Sequence, residues 1–194
     1  MKYNLSEITE VMRSRRSVSP DRFSTRKVHR EQMELILTNG TWAPTHGLTQ
    51  PWRFVVFMED GLSKLKTFIP ECYREFAGDQ FKPSKYDRLV QRMSNQSCVV
   101  FLNCARDVTG KISEQDELSA VACCAQNMML SAEAYGIHGF WSTPGHIKSE
   151  MMRSFLELSP HEECIGMFYF GYADGDLPTA HRKPLEYVTK WIVQ

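Results

Sequence analysis

Leu118-Ser119-Ala120-Val121-Ala122-Cys123-Cys124-Ala125-Gln126-Asn127-Met128-Met129-Leu130-Ser131-Ala132 decides the fold class of this chain. Leu118, Val121, Ala122, Ala125, Met128, Met129 and Ala132 recur at intervals of three and four, as one face of an α-helix requires. Ser113 and Asp116 form a capping pair ahead of the run, and Gly136 ends it. The small residues allow close approach of neighbours, so the spacing predicts a central core helix. On either side lie Cys98-Val99-Val100-Phe101-Leu102 and Cys164-Ile165-Gly166-Met167-Phe168-Tyr169-Phe170. Such continuous apolar runs are the form of sheet-centre strands covered on both faces. The expectation is a layered α/β domain over residues 1–194, without repeats or linkers.

Outward from this centre, Asn4 caps a first helix with Glu7 at its third position and Leu5, Ile8 and Met12 at helical spacing. The basic run Arg13-Ser14-Arg15-Arg16 closes it. A second helix fits Arg30 to Asn39, with Met33, Ile36 and Leu37 on one face and Gly40 as a left-handed stop. The loop Ala43-Pro44-Thr45-His46-Gly47-Leu48-Thr49-Gln50-Pro51 follows, then a strand at Arg53 to Phe57. Ile137 to Thr143 reads as a short strand and Ser149 to Leu158 as a helix. Glu71 to Gln96 has weaker periodicity, with Tyr73, Phe76, Phe81 and Tyr86 among charges, and is expected to be a surface excursion.

Composition removes several classes. Lys plus Arg equals Asp plus Glu at 23 each, so no net positive field favours nucleic acid or an anionic membrane. Met1 to Arg16 lacks the apolar run of a signal peptide, and no stretch is long enough to span a bilayer; a cytoplasmic location is expected. The six cysteines form no C-x-x-C pair, and the six histidines form no metal-binding pattern. No metal site is expected. The Rossmann fingerprint, the P-loop and the G-x-S-x-G elbow are all missing, so a nucleotide must be held in another way and no hydrolytic nucleophile stands out.

Three segments remain: Arg13-Ser14-Arg15-Arg16-Ser17-Val18, then Ala43-Pro44-Thr45-His46 continuing to Gln50-Pro51-Trp52-Arg53-Phe54, and Arg182-Lys183-Pro184-Leu185-Glu186-Tyr187-Val188. Together with Ala125-Gln126-Asn127 and Gly136-Ile137-His138-Gly139-Phe140-Trp141, in this order and spacing, they resemble the nitroreductase family, most closely its compact single-domain branch. The resemblance implies an α/β (α+β) fold with a mostly antiparallel central sheet flanked by helices. It also implies a homodimer with FMN at its interface and NADH or NADPH as transient hydride donor.

Carried over residue by residue, the resemblance makes Arg15 and Ser17 the phosphate and ribityl contacts, with Arg16 close by. Arg182 becomes the C-terminal phosphate ligand. Trp42 and His46 contact FMN, and Gln50 lies near the ring. The backbone of Trp141-Ser142-Thr143-Pro144-Gly145 faces the ring's reacting edge. Read from the residues alone, each has a plainer role. Arg13 to Arg16 suit a helix C-terminus, His46 suits a turn with a backbone partner, Arg182 suits a solvated tail, and Trp52 suits core or dimer packing. Leu48, Ser142 and Ala180 depart from the polar or basic residues common in the family.

The implied reaction is ping-pong: hydride passes from nicotinamide to flavin, and then a small electron-poor acceptor such as a nitroaromatic is reduced. No catalytic side chain is assigned, because the flavin performs the chemistry. Two rivals are a flavin reductase for enones, quinones or halogenated aromatics, and a non-catalytic FMN-binding protein. A third is an interaction domain without flavin. The aromatics of Glu71 to Gln96 are expected to roof the flavin and set acceptor choice, with packing onto the core as the competing role for each ring.

Overall fold

The computed structural model describes residues 2–193, whose strands form one antiparallel sheet in the order β1-β2-β4-β3. The strands are β1 (Trp52–Met58), β2 (Cys98–Ala105), β3 (His138–Ser142) and β4 (Glu162–Gly171). The helices are α1 (Leu5–Ser14), α2 (Arg30–Gly40), α3 (Gly61–Ala77), α4 (Pro83–Ser94), α5 (Glu114–Ala134) and α6 (Glu150–Phe155). The two continuous apolar runs are the two central strands, as their composition requires.

Side chains alternate across a strand, and here the alternation divides the core in two. Val100, Leu102, Phe168 and Phe170 face a layer made by α2 and α5. Val99, Phe101, Met167 and Tyr169 face the other layer, made by α3, α4 and α6. All eight are essentially inaccessible to solvent, and full burial of a side chain of this size contributes roughly 1.5–3 kcal/mol. Five of the six cysteines are buried among them. Burial pushes the thiols of Cys104, Cys124 and Cys164 up to about 12, so these sulfurs pack as apolar groups and are not thiolates.

The caps form as predicted. Asn4 Oδ1 accepts from the N–H groups of Ser6 and Glu7, and Ser113 Oγ accepts from the N–H of Asp116 at 3.1 Å. Gly136 has φ +68°, which glycine adopts without steric cost. Helix α1 has no buried residue: Leu5, Ile8 and Met12 share a face that the described residues leave about half exposed.

Three expectations need correction. Gly40 is not a left-handed stop; it is the last residue of α2, and it is buried. Glycine is required there because a Cβ would lie 2.8 Å from Met128 Cγ and 3.1 Å from Cys124 Sγ, where α2 crosses α5. Glu71 to Gln96 is not merely a surface excursion, since it contains the end of α3 and all of α4 and buries Cys72, Tyr73, Leu89 and Met93 in the core. Its helical period, Leu62, Leu65, Ile69, Cys72 and Tyr73, begins upstream of Glu71 and is then broken by Gly78 at φ +47°. Finally, α6 is shorter than Ser149 to Leu158. Ser149 is its N-cap, and the chain leaves the helix at Leu156 ahead of Glu157, whose φ is +54°.

Candidate functional site

The Arg15-Arg16-Ser17 segment leaves α1 and lies along the open edge of β3. Ser17 forms a parallel bridge with Gly139, and the N–H of Val18 donates to the Gly139 carbonyl at 3.3 Å. The two arginines then part company. Arg16 Nη1 donates to the carbonyls of Arg13, Ser14 and Arg15, the acceptors that a helix C-terminus leaves unpaired, and its Nε donates to the Pro178 carbonyl at 2.9 Å. The guanidinium of half-buried Arg15 makes no hydrogen bond or ion pair among the described residues, and neither does the Ser17 hydroxyl. A guanidinium and a hydroxyl are both groups that donate to anions.

Arg16 and Arg22 both donate to carbonyls of the segment after β4, at Pro178 and Asp176. This ties the start of the C-terminal segment beside Arg15. Arg182 follows Pro178 by four residues, a span of at most about 14 Å of extended chain. Among the described residues its guanidinium donates only to the carbonyl of His181, and its side chain is exposed.

Beyond β3, the strand end from Trp141 to Gly145 continues the same edge. Trp141 stacks on Phe168 at 5.1 Å, and Gly166 is a glycine because any side chain would collide with the indole. The N–H groups of Thr143 and Gly145 have no partner among the described residues. Phe76 of α3 lies against Gly145, where a Cβ would be 2.8 Å from Phe76 Cζ. One roof aromatic therefore covers this strand end. Tyr73 is buried against the α3 and α4 layer instead, and its Oη accepts from the N–H of Lys82. Phe81 and Tyr86 pack edge to face with each other and are partly buried.

Trp42, His46 and Gln50 stand elsewhere, in the loop that enters β1 at the opposite edge of the sheet. Three interstrand spacings of about 4.8 Å put roughly 14 Å between the two edges. Trp42 is 81% exposed. His46 Nδ1 lies 3.0 Å from Asp116 Oδ2, so its partner is a side chain on the first turn of α5 and not the backbone. That bond holds the Asp116 carboxyl below its usual range. Gln50 adopts φ +46°, its N–H donates to Thr45 Oγ1, and its carbonyl accepts from Arg53. Trp52 is buried beneath α5 in the core.

Sequence reasoning missed Asp116 as the partner of His46, and also Glu117. Fully buried, Glu117 accepts from Arg106 at 2.7 Å and from the N–H of Asp107 at 2.8 Å, which fixes the loop that sets Ile112 against Gly47. The acidic first turn of α5 was visible, but contacts across 70 residues leave no local signal. His146 was also overlooked. Buried directly after Gly145, it is pushed down to about 4 by desolvation and, secondarily, by Lys85. Below pH 6.5 the unfolded chain takes up a proton that the folded one refuses until about pH 4. Stability that is complete above pH 6.5 should therefore fall on acidification, by up to about 3 kcal/mol from this residue. Urea midpoints at pH 7 and pH 4.5 should separate less in His146→Gln than in the parent; equal separations would assign the acid sensitivity to other groups.

Residues 12–172 match the model of the nitroreductase family. This chain belongs to the nitroreductase family. An Escherichia coli K12 protein provisionally named an NAD(P)H nitroreductase is 25% identical over 162 residues, spanning 84% of this chain and 86% of that one. Among solved structures, a nitroreductase-like family protein from Bacillus cereus superposes with a TM-score of 0.83 at 21% identity, covering 99% of this chain and 98% of the other. The FMN-dependent nitroreductase of Mycobacterium smegmatis in complex with NADPH gives 0.76 at 18% identity, covering 97% and 99%. The fold is nitroreductase-like, with helices on both faces of the antiparallel sheet.

Proposed function

We propose that this protein is an FMN-dependent oxidoreductase that draws hydride from NADH or NADPH and delivers two electrons to a small, electron-poor acceptor such as a nitroaromatic. The observation that carries this reading is the uncommitted Arg15 guanidinium beside the free Ser17 hydroxyl, on the strand edge that ends in the open N–H groups of Thr143 and Gly145. This set fits the cofactor. Arginine meets phosphate oxygens bidentately, a hydroxyl pairs with a polyol chain, and backbone donors stabilise charge that develops on a ring. Bound FMN supplies reversible two-electron storage, which the side chains of this site do not.

The protein's part is to hold and orient. Arg15 and Arg182 would hold the phosphate, Ser17 the ribityl chain, and the open N–H groups of Thr143 and Gly145 would donate to the ring. Trp42, His46 and Gln50 complete the site from the partner subunit of a homodimer, since in one chain they stand at the far edge of the sheet. The apolar face of α1 and the exposed Leu185, Tyr187, Val188, Trp191, Ile192 and Val193 are the surfaces such a dimer would bury. No described helix is long and apolar enough to cross a membrane. After the first half-reaction the oxidised nicotinamide leaves and the acceptor takes its place, so one open face serves both in turn.

The decisive experiment is an absorption spectrum of purified protein, followed by anaerobic titration with NADH and NADPH separately. A flavin band bleached by one equivalent of either donor is expected. A flavin that neither donor bleaches would make the protein a non-catalytic FMN carrier, and a colourless protein that binds no added FMN would overturn the reading.

A further inference from the structure

We propose that the cleft between the end of α3 and the start of α4 recognises the acceptor, and that it selects aromatic acceptors bearing an anionic group; this rests on the function proposed above. The cleft measures about 600 Å³, within the range of small-ligand sites. Tyr73 and Phe76 wall it, and Asp79, Lys82 and Lys85 stand around it. Phe76, 53% exposed, touches Gly145, so the cleft opens beside the strand end assigned to the flavin.

The charge arrangement is what the fold does not explain. Lys82 is the N-cap residue of α4 and Lys85 lies in its first turn, where the helix already carries partial positive charge and where no acidic residue is present. Among the described residues neither lysine forms an ion pair. Lys85 Nζ instead lies 4.5 Å above the centre of the Tyr73 ring, and the backbone N–H of Lys82 is held by Tyr73 Oη at 3.1 Å. Two cations at the positive end of a helix repel it and each other, and Asp79 offsets only one of them. An incoming anion relieves that repulsion.

Behind Tyr73 and Phe76, outside the cleft's own lining, lies a second unexplained group. His146 is 1% exposed with its Nε2 lacking any partner, and it lies edge-on to both walls, 6.2 Å from the Tyr73 ring and 6.5 Å from the Phe76 ring. The exposed Phe76 ring beside two cations without carboxylate partners suits a ring carrying a carboxylate or phenolate. With 4-nitrobenzoate as probe, the nitro group would take two electrons from NAD(P)H and two protons. It would lose one oxygen as water and leave the nitroso compound, while NAD(P)H becomes NAD(P)+.

The test uses the flavin-loaded dimer and two matched acceptors, anionic 4-nitrobenzoate and neutral 4-nitrobenzamide. The kcat/KM ratio of anion to amide should be about tenfold or more, should fall toward one in Lys82→Gln/Lys85→Gln, and should shrink as salt is added. Calorimetry with benzoate and benzamide, neither of which is reduced, should show the same preference and the same loss. A ratio unchanged in the double variant, equal binding of the two ligands, or a double variant that loses only NAD(P)H affinity would overturn the inference. Colourless protein would instead overturn the parent reading, so the two failures are distinguishable.

Discussion

Arg15→Ala should raise the dissociation constant for FMN by about two orders of magnitude. A phosphate held bidentately by a guanidinium forms charge-assisted bonds of roughly 1.5–3 kcal/mol each, and a total near 3 kcal/mol corresponds to about a hundredfold. The structure supplies an internal control. Arg16 is adjacent in sequence, but it spends its donors on the carbonyls at the end of α1 and on Pro178. Arg16→Ala should therefore lower thermal stability and change FMN affinity by tenfold less than Arg15→Ala. Fluorescence titration of apoprotein with FMN measures both. Equal affinities for Arg15→Ala and the parent would remove Arg15 from the phosphate site.

The second large effect concerns assembly. Ile8→Asp places a carboxylate on the apolar face of α1, and in a two-fold dimer each substitution acts twice. Desolvating two unpaired charges costs several kcal/mol, so dimer affinity should fall by about three to four orders of magnitude. Truncation before Leu185 removes the exposed apolar tail and should act in the same direction. Both variants should sediment as colourless monomers, because Trp42, His46 and Gln50 would no longer face the partner's Arg15 and Ser17. A monomer that keeps FMN at low micromolar concentration would show that one chain suffices.

Much of the fold was legible because its signals are local. The apolar runs at Cys98 and Cys164, the three-and-four spacing of α5, and the caps at Asn4 and Ser113 each depend on neighbours within a few residues. Gly40 shows where that ends: glycine before a loop reads as a helix stop, whereas its cause is Met128 on another helix. The α3 and α4 hairpin escaped for a related reason, since charged residues flank both its buried Tyr73 and its exposed or partly buried Phe76, Phe81 and Tyr86 and dilute the period. At the site, the segments came from family resemblance, but the difference between Arg15 and Arg16 did not. Which of two adjacent arginines is free depends on where the chain after β4 passes, and nothing in Arg15-Arg16-Ser17 encodes that path.

The sheet's two-sided core has an evolutionary corollary. The central strands stand as a septum between the α2 and α5 layer, which carries the Asp116 support for His46, and the α3 and α4 layer, which carries the acceptor cleft. Substitutions on the two sides share few contacts, and their free-energy effects should add. A lineage could therefore redraw the cleft while the opposite compartment stays as it is.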